Sequence, residues 1–311
     1  MTSAFLESES AESAPVTQTA QVEAQTQAQV EQLTALNFQD FLNAVGLKDL
    51  KRGRRLAEAV FSRPADRFAR QVAEYDQRVG RDGLALASAW LLQRLTGGLR
   101  VYGAQHVPTH GPVMIASNHP GATDTLALFA SIPRPDLATL AADRPFLRVL
   151  THVQAHLINV SEAIEDRMLA VRVISREFRR GRAILTFPAG KIEPDPNVLP
   201  GAPESLQSWS DSIGAFARLV PELQIVPTIV RGVLAPGALR NPLIYLRRTR
   251  KDRELMAAML QIVLKRYHNV QVTVTFGQPV RAADLGDVNA ITQTVIARAN
   301  ALITQNPSQN K

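Results

Sequence analysis

Apolar positions follow two periods along this chain, one helical and one extended. Phe38, Phe41, Leu42 and Val45 stand on one face of a helix that Gly46 closes. A second helix is predicted over residues 48–61, stopping before Pro64. A third covers 66–79, with Phe68, Val72 and Tyr75 on one stripe. Leu84–Leu95 is the most apolar helix, and Gly97-Gly98 ends it. From residue 99 onward, short apolar runs alternate with helical stripes. Strands are predicted at 99–102, 113–116, 138–141, 156–160, 183–187, 224–230 and 270–276. Helices are predicted at 126–132, 144–150, 162–180, 210–219, 252–267 and 282–303. The 162–180 helix keeps Ile164, Met168, Val171, Ile174 and Phe178 in period and ends on Arg176, Arg179, Arg180 and a capping Gly181. Pro227 inside 224–230 suggests a bulge or an edge there.

Strand, helix and strand at this spacing make a βαβ unit. The predicted fold is α/β, a central mixed, largely parallel sheet with helices on both faces, preceded by an N-terminal helical segment. Three regions result. Residues 1–36, rich in Gln, Thr, Ala and Glu, read as a disordered or weakly helical tail. Residues 37–98 form the helical segment, and 99–311 the α/β domain.

Composition changes this picture in two respects. The 311 residues contain no cysteine, which excludes disulfides, thiolate metal sites and a cysteine nucleophile. Charge is unevenly placed. All five charged residues before position 37 are acidic, so the remainder carries 35 basic against 23 acidic residues, a net of +12. A basic body predicts an anionic partner. With 5% aromatics and no ribonucleoprotein or zinc-finger spacing, a membrane surface or a phosphate is favoured and no nucleic-acid partner is expected. Residues 1–20 lack the basic start and apolar core of a signal peptide, and no run approaches the ~18 apolar residues of a spanning helix.

Three stretches admit either a solvated or a lipid-facing reading. Arg52, Arg54, Arg55, Arg63, Arg67 and Arg70 crowd the N-terminal helices. Residues 84–95 are either a core helix or an interfacial one, with Trp90, Leu91 and Leu92 in lipid and Arg94 and Arg100 at the head groups. Residues 240–253 interleave Arg240, Arg247, Arg248, Arg250, Lys251 and Arg253 with Leu243, Ile244, Tyr245 and Leu246. Near an anionic surface each basic residue is worth about 1 kcal/mol.

The candidate chemistry sits at 113–124, Val-Met-Ile-Ala-Ser-Asn-His-Pro-Gly-Ala-Thr-Asp. A buried strand ends at Ser117-Asn118, Pro120-Gly121 break it, and Thr123-Asp124 start the next helix. His119 is thereby placed on a strand-to-helix turn, five residues before Asp124. An imidazole can take and give a proton near neutral pH, and a carboxylate on its second nitrogen fixes the tautomer. The same residues also suit a plainer role, His119 satisfying a turn and Asp124 capping a helix. Six scattered histidines show no metal-binding spacing, so no metal is expected. G-x-S-x-G, G-x-G-x-x-G and the P-loop are absent.

Four segments in order resemble the glycerolipid acyltransferase superfamily, which includes the lysophosphatidic acid and glycerol-3-phosphate acyltransferases. Asn-His-Pro-Gly-Ala-Thr-Asp at 118–124 resembles its N-H-x-x-x-x-D block. Residues 144–160 resemble the second block, a short helix leading to a strand. Leu-Thr-Phe-Pro-Ala-Gly-Lys at 185–191 resembles the third, usually F-P-E-G-T-R. Ile-Val-Pro-Thr-Ile-Val at 225–230 resembles the fourth. Residues 272–280 are similar to the late strand and turn of many members.

The resemblance makes 99–311 an acyltransferase domain and implies the following expectations. His119 is the general base and Asp124 orients it. Asn118, Pro188, Gly190 and Lys191 contact substrate. Backbone N–H groups near Gly190 hold the oxyanion. The acyl donor is acyl-CoA or acyl carrier protein as co-substrate, and no cofactor is needed. The acceptor is a lysophospholipid, 1-acyl-glycerol-3-phosphate foremost, and the protein is cytoplasmic and peripheral on the inner face of the cell membrane. The third block departs from the pattern, with Ala189 for Glu and Lys191-Ile192 for Thr-Arg. Lys191 keeps a positive charge, but as a point rather than a fork. Glu193 is a candidate for a displaced carboxylate. The departure leaves open another acceptor, such as a lyso-ornithine lipid, and a non-catalytic lipid-binding protein of the same fold.

Overall fold

β2 (Val113–Ser117) lies near the middle of an eight-stranded sheet, and all five of its residues are buried. A strand covered on both faces has no polar side, which is why this run reads as continuous rather than alternating hydrophobicity. The computed structural model describes residues 14–46, 54–121, 123–160, 167–281 and 286–304. The path of the sheet is β1-β7-β6-β2-β5-β3-β4, formed by β1 (Gly98–Tyr102), β3 (Ala138–Ala142), β4 (Leu157–Val160), β5 (Ala183–Thr186), β6 (Gln224–Arg231) and β7 (Gln271–Phe276) with β2. A short β8 (Val280–Arg281) pairs with β6. Strands β6, β2, β5, β3 and β4 run parallel, while β7 and β8 are antiparallel to β6 and β1 is parallel to β7. The mixed, largely parallel sheet is as expected. Pro227 is neither at an edge nor exposed, since β6 is flanked by β2 and β7.

Helices cover both faces. On one side Val113, Ile115, Ala183, Leu185, Val226 and Val230 pack with α2 (Arg54–Asp82), α3 (Leu84–Leu95) and α4 (Asp124–Ser131). On the other, Met114, Ala116, Ile184, Ile225 and Ile229 meet α7 (Arg167–Arg179), α9 (Ser212–Leu219) and α12 (Val288–Thr304). The short α5 (Pro145–Arg148) and α6 (Thr151–Gln154) lead into β4, and α8 (Ala202–Ser205) follows β5. A smaller cluster joins α10 (Pro236–Leu239) to α11 (Arg250–Val263) through Ala238, Ile244, Met256, Ala257 and Leu260. Each fully buried Leu, Ile, Val or Phe contributes roughly 1.5–3 kcal/mol.

The N-terminal region corrects two expectations and decides between the two readings of residues 84–95. Residues 14–36 are not a tail, because α1 (Ala14–Val45) is continuous, while residues 1–13 lie outside the described residues. Val30 and Leu33 belong to the main core, and Gln29 donates to Asp76 and to the Val149 carbonyl. The stripe is only a few residues wide, so its composition looks polar until α2 covers it. The second and third predicted helices are one, α2, with Pro64 inside it. The proline removes one helical hydrogen bond. Ala65, Ala69, Val72, Ala73, Tyr75 and Val79, all buried, anchor the turns of the helix that follow it. Residues 47–53, where the predicted second helix begins, lie outside the described residues. Finally, α3 is a core helix. Leu91 and Leu92 are buried, and Trp90 is covered by the Arg78 and Arg94 guanidiniums, 4.3 and 4.2 Å from the ring centroid. No helix among the described residues is long and apolar enough to cross a membrane.

Candidate active site

The carboxyl ends of β2, β5 and β6 lie side by side, and the chain leaving each of them contributes to one cluster. In open α/β sheets this edge is where ligands bind. The chain leaving β2 turns at Pro120-Gly121. Gly121 has φ +81°, a conformation L side chains rarely adopt, and a Cβ there would also press on Ile192 at 3.1 Å. This turn brings His119 back over the first residue of α4.

Asp124 is that residue, and it has both of the roles its sequence position allowed. Its Oδ2 accepts from the Gly121 N–H at 2.8 Å, and its Oδ1 accepts from the Thr125 N–H at 2.5 Å and lies 3.0 Å from the Thr125 hydroxyl. Oδ2 also lies 2.8 Å from His119 Nδ1. An ionised carboxylate only accepts, so the proton of this bond is on Nδ1 and Nε2 carries the lone pair. Asp124 is buried, while the His119 side chain keeps 27% of its surface exposed. Among the described residues Nε2 has no hydrogen-bond partner. The imidazole stacks on Phe187, centroids 4.2 Å apart and planes at 25°, just beyond the end of β5. Burial disfavours the charged ring, but the charge and hydrogen bond of Asp124 and the charge of Glu193 outweigh it. The imidazole therefore holds its proton above the ordinary histidine range.

The loop after β5 clasps the same turn. Glu193 N–H donates to the His119 carbonyl at 2.8 Å, and the His119 N–H donates to Glu193 Oε2 at 3.0 Å. Glu193 is 2% exposed. Trp209 Nε1–H donates to its Oε1 at 3.1 Å, and the Ser205 hydroxyl stands 3.0 Å from the same oxygen. Burial pushes the Glu193 carboxyl up, against the pull of Trp209, Ser205 and the His119 N–H. Two residues further, buried Asp195 accepts from the N–H groups of Gly232, Val233 and Leu234 at 2.8–3.0 Å, tying this loop to the chain leaving β6.

The other expected site residues divide. Asn118 is corrected from a substrate contact to a brace. It is buried, its Oδ1 accepts from the Val230 N–H at 2.7 Å and its Nδ2 donates to the Val230 carbonyl at 2.9 Å. Pro188 is buried, with its carbonyl accepting from the Ser210 N–H at 3.1 Å, so it shapes the turn rather than lining open space. Gly190 is exposed at φ +61°, but its N–H donates to the Phe187 carbonyl at 3.0 Å and is taken up by the turn. That removes Gly190 itself as an oxyanion donor. The N–H groups of Lys191 and Ile192 make no hydrogen bond among the described residues. Lys191 is exposed. Sequence reasoning did not find Phe187, Ser205 or Trp209. Phe187 only looked like the last residue of a strand, and the other two sit in a Pro-rich stretch with no periodic signal.

No group of three or more His, Asp or Glu side chains among the described residues is arranged to hold a metal ion. A groove between α1 and α2, lined by Thr26, Gln27, Val30, Ala73, Glu74 and Gln77, includes none of the site residues.

Residues 98–231 match the family model described as Acyltransferase. That span starts at β1 and ends with β6, and it includes His119, Asp124 and the Phe187–Glu193 turn. Among solved structures the chain is similar to the 1-acyl-sn-glycerophosphate (LPA) acyltransferase PlsC from Thermotoga maritima. The match is 14% identical, covers 92% of this chain and 95% of that one, and has a TM-score of 0.45. No curated protein matches the sequence.

Proposed function

We propose that this member of the glycerolipid acyltransferase superfamily, whose acyltransferase domain spans residues 98–231, uses His119 as the general base of a direct acyl transfer. The donor in this reading is a fatty acyl thioester of coenzyme A or acyl carrier protein. The acceptor is the hydroxyl of a lysophospholipid, with 1-acyl-glycerol-3-phosphate first among candidates.

One observation carries the reading. Asp124 holds Nδ1 at 2.8 Å, which leaves Nε2 as a proton acceptor on the exposed edge of a ring that Phe187 keeps in place. Nε2 takes the hydroxyl proton as the oxygen attacks the thioester carbonyl and a C–O bond forms. The tetrahedral oxyanion needs donors placed for it. The N–H groups of Lys191 and Ile192 are the candidates. Collapse breaks the C–S bond, and the proton on Nε2 passes to the departing thiolate, giving free thiol and ester. The Lys191 ammonium is assigned to the acceptor's phosphate, as a point charge in solvent.

Release of free thiol from an acyl thioester, with and without acceptor, tests this. His119→Ala is expected to lower turnover about 10³-fold or more while the fold is kept, since general-base catalysis alone contributes roughly 10²–10⁴. A variant keeping most of its rate ends the assignment. A non-catalytic lipid binder releases no thiol at all.

Ala189 in place of the family's Glu, and Lys191-Ile192 in place of its Thr-Arg, favour a second reading in which another amphipathic alcohol, such as a lyso-ornithine lipid, is the acceptor. One donor assayed against a panel of acceptors separates the two, and a poor rate with lysophosphatidate selects the second. In either reading the protein works as a peripheral protein at the inner face of the cell membrane. Leu243, Tyr245 and Leu246, each 47–67% exposed beside Arg240 and Arg248, are the proposed lipid-facing surface.

A further inference from the structure

We propose that Glu193 is a positioning residue of this site, its carboxylate linking the His119 backbone N–H to Trp209 and thereby fixing where the imidazole stands. The proposal rests on the reading of His119 as base, and its test is built so that the two can fail separately.

Glu193 stands four residues past Ala189, in a loop that returns to the β2 turn. One backbone bond, from the Glu193 N–H to the His119 carbonyl at 2.8 Å, holds the two loops together, and the side chain adds a second link by accepting from the His119 N–H at 3.0 Å. Among the described residues the His119 ring is held by Asp124 on Nδ1 and by Phe187 on one face. Its backbone anchor therefore decides how far Nε2 stands from a reacting hydroxyl. A misplacement of about 1 Å in such a site can cost roughly 10²-fold in rate.

The donors around Glu193 make the role testable. The His119 N–H and the indole N–H of Trp209 can only donate, and each faces a different oxygen of the carboxylate. A carboxamide has one oxygen. In Glu193→Gln the NH₂ group must point either at the His119 N–H or at the Trp209 N–H, and both orientations set donor against donor. Trp209→Phe removes one of these conflicts. The amide can then accept from His119 and donate to the Ser205 oxygen, whose own proton has the Ala202 carbonyl 2.8 Å away. A second substitution is thus expected to restore what the first removed.

The experiment measures thiol release from an acyl thioester at saturating and subsaturating acceptor for full-length wild type, H119A, E193Q, W209F and E193Q/W209F, with thermal unfolding of each. Expected are a fall of kcat by about 10²-fold in E193Q with KM within about threefold, a few-fold fall in W209F, and recovery of at least tenfold in the double variant relative to E193Q. The double variant carries a pH signature as well. Asp124 and Glu193 are the charged groups acting on the imidazole. With the Glu193 charge gone, the acidic limb of its rate profile moves to lower pH, which lost packing alone does not produce. Should E193Q not fold, the double variant's rate and pH limb decide the matter by themselves. E193Q at the wild-type kcat, or a double variant no better than E193Q, overturns the proposal. If H119A is as active as wild type, the reading of His119 as base falls instead, whatever E193Q does.

Discussion

At the scale of single residues, Asp124 orients the His119 imidazole and raises its hold on a proton. It receives Nδ1–H while two backbone N–H groups hold it still, so the tautomer with a free Nε2 is imposed by groups that cannot themselves turn round. In the proposed reaction His119 acts as a base only when neutral. Because the pair holds the imidazole above its ordinary value, activity is expected above that raised value and is expected to decline as pH falls through it. The contribution to folding runs the other way. The charged ring is stabilised in the fold, so this stabilisation is complete below the unfolded histidine value of about 6.5 and is lost as pH rises through the folded one. Asp124→Asn is expected to lower kcat by about 10³-fold or more, because an amide NH₂ selects the opposite tautomer. The acidic limb of the residual activity is expected to shift to lower pH, and a rate–pH profile of the variant checks both. The pairing of His119 with Asp124 was legible because strand end, turn and helix start are all written locally. The bracing role of Asn118 was not, since its partner Val230 is 112 residues away.

At the scale of elements, most strands and helices fall where their apolar period put them, and the exceptions share a cause. The α1 helix looked like a tail because its buried stripe is narrow. Continuity of α2 through Pro64 was hidden because a proline's local cost is visible in sequence while the docking of the turns that follow it is not. The docked α1 has a measurable consequence. Leu33 is fully buried in the main core, and Leu33→Ala is expected to reduce unfolding stability by roughly 2–5 kcal/mol, read as a lower urea midpoint. A tail free in solvent gives no change.

At the scale of the whole molecule, the site belongs to no single element. The chains leaving β2, β5 and β6 meet through His119–Glu193, Asn118–Val230 and Asp195 with the N–H groups of 232–234. They converge because parallel strands carry their carboxyl ends to the same edge of the sheet. The proposed lipid-facing surface is a second property of the assembled chain. Ile244 is buried while its neighbours Leu243, Tyr245 and Leu246 stay exposed, which anchors a short apolar ridge among arginines. Co-sedimentation with vesicles is expected to be stronger with anionic than with zwitterionic lipid and to weaken as salt rises. Leu243→Ser with Leu246→Ser is expected to reduce it several-fold without changing thiol release from a soluble short-chain substrate. Equal binding by the variant removes this surface from consideration.

By itself the sequence determined the α/β alternation, the parallel character of the sheet and the histidine–aspartate turn. Each of these depends on residues close enough in the chain for period and turn chemistry to express them. Only the tertiary structure decided that Asn118 braces β6, that the Gly190 N–H is taken up by its own turn, that α1 packs into the core, and that Glu193 reaches the back of His119. Those outcomes depend on which loops the sheet brings together and on which buried donors are left needing an acceptor, and neither leaves a periodic trace along the chain.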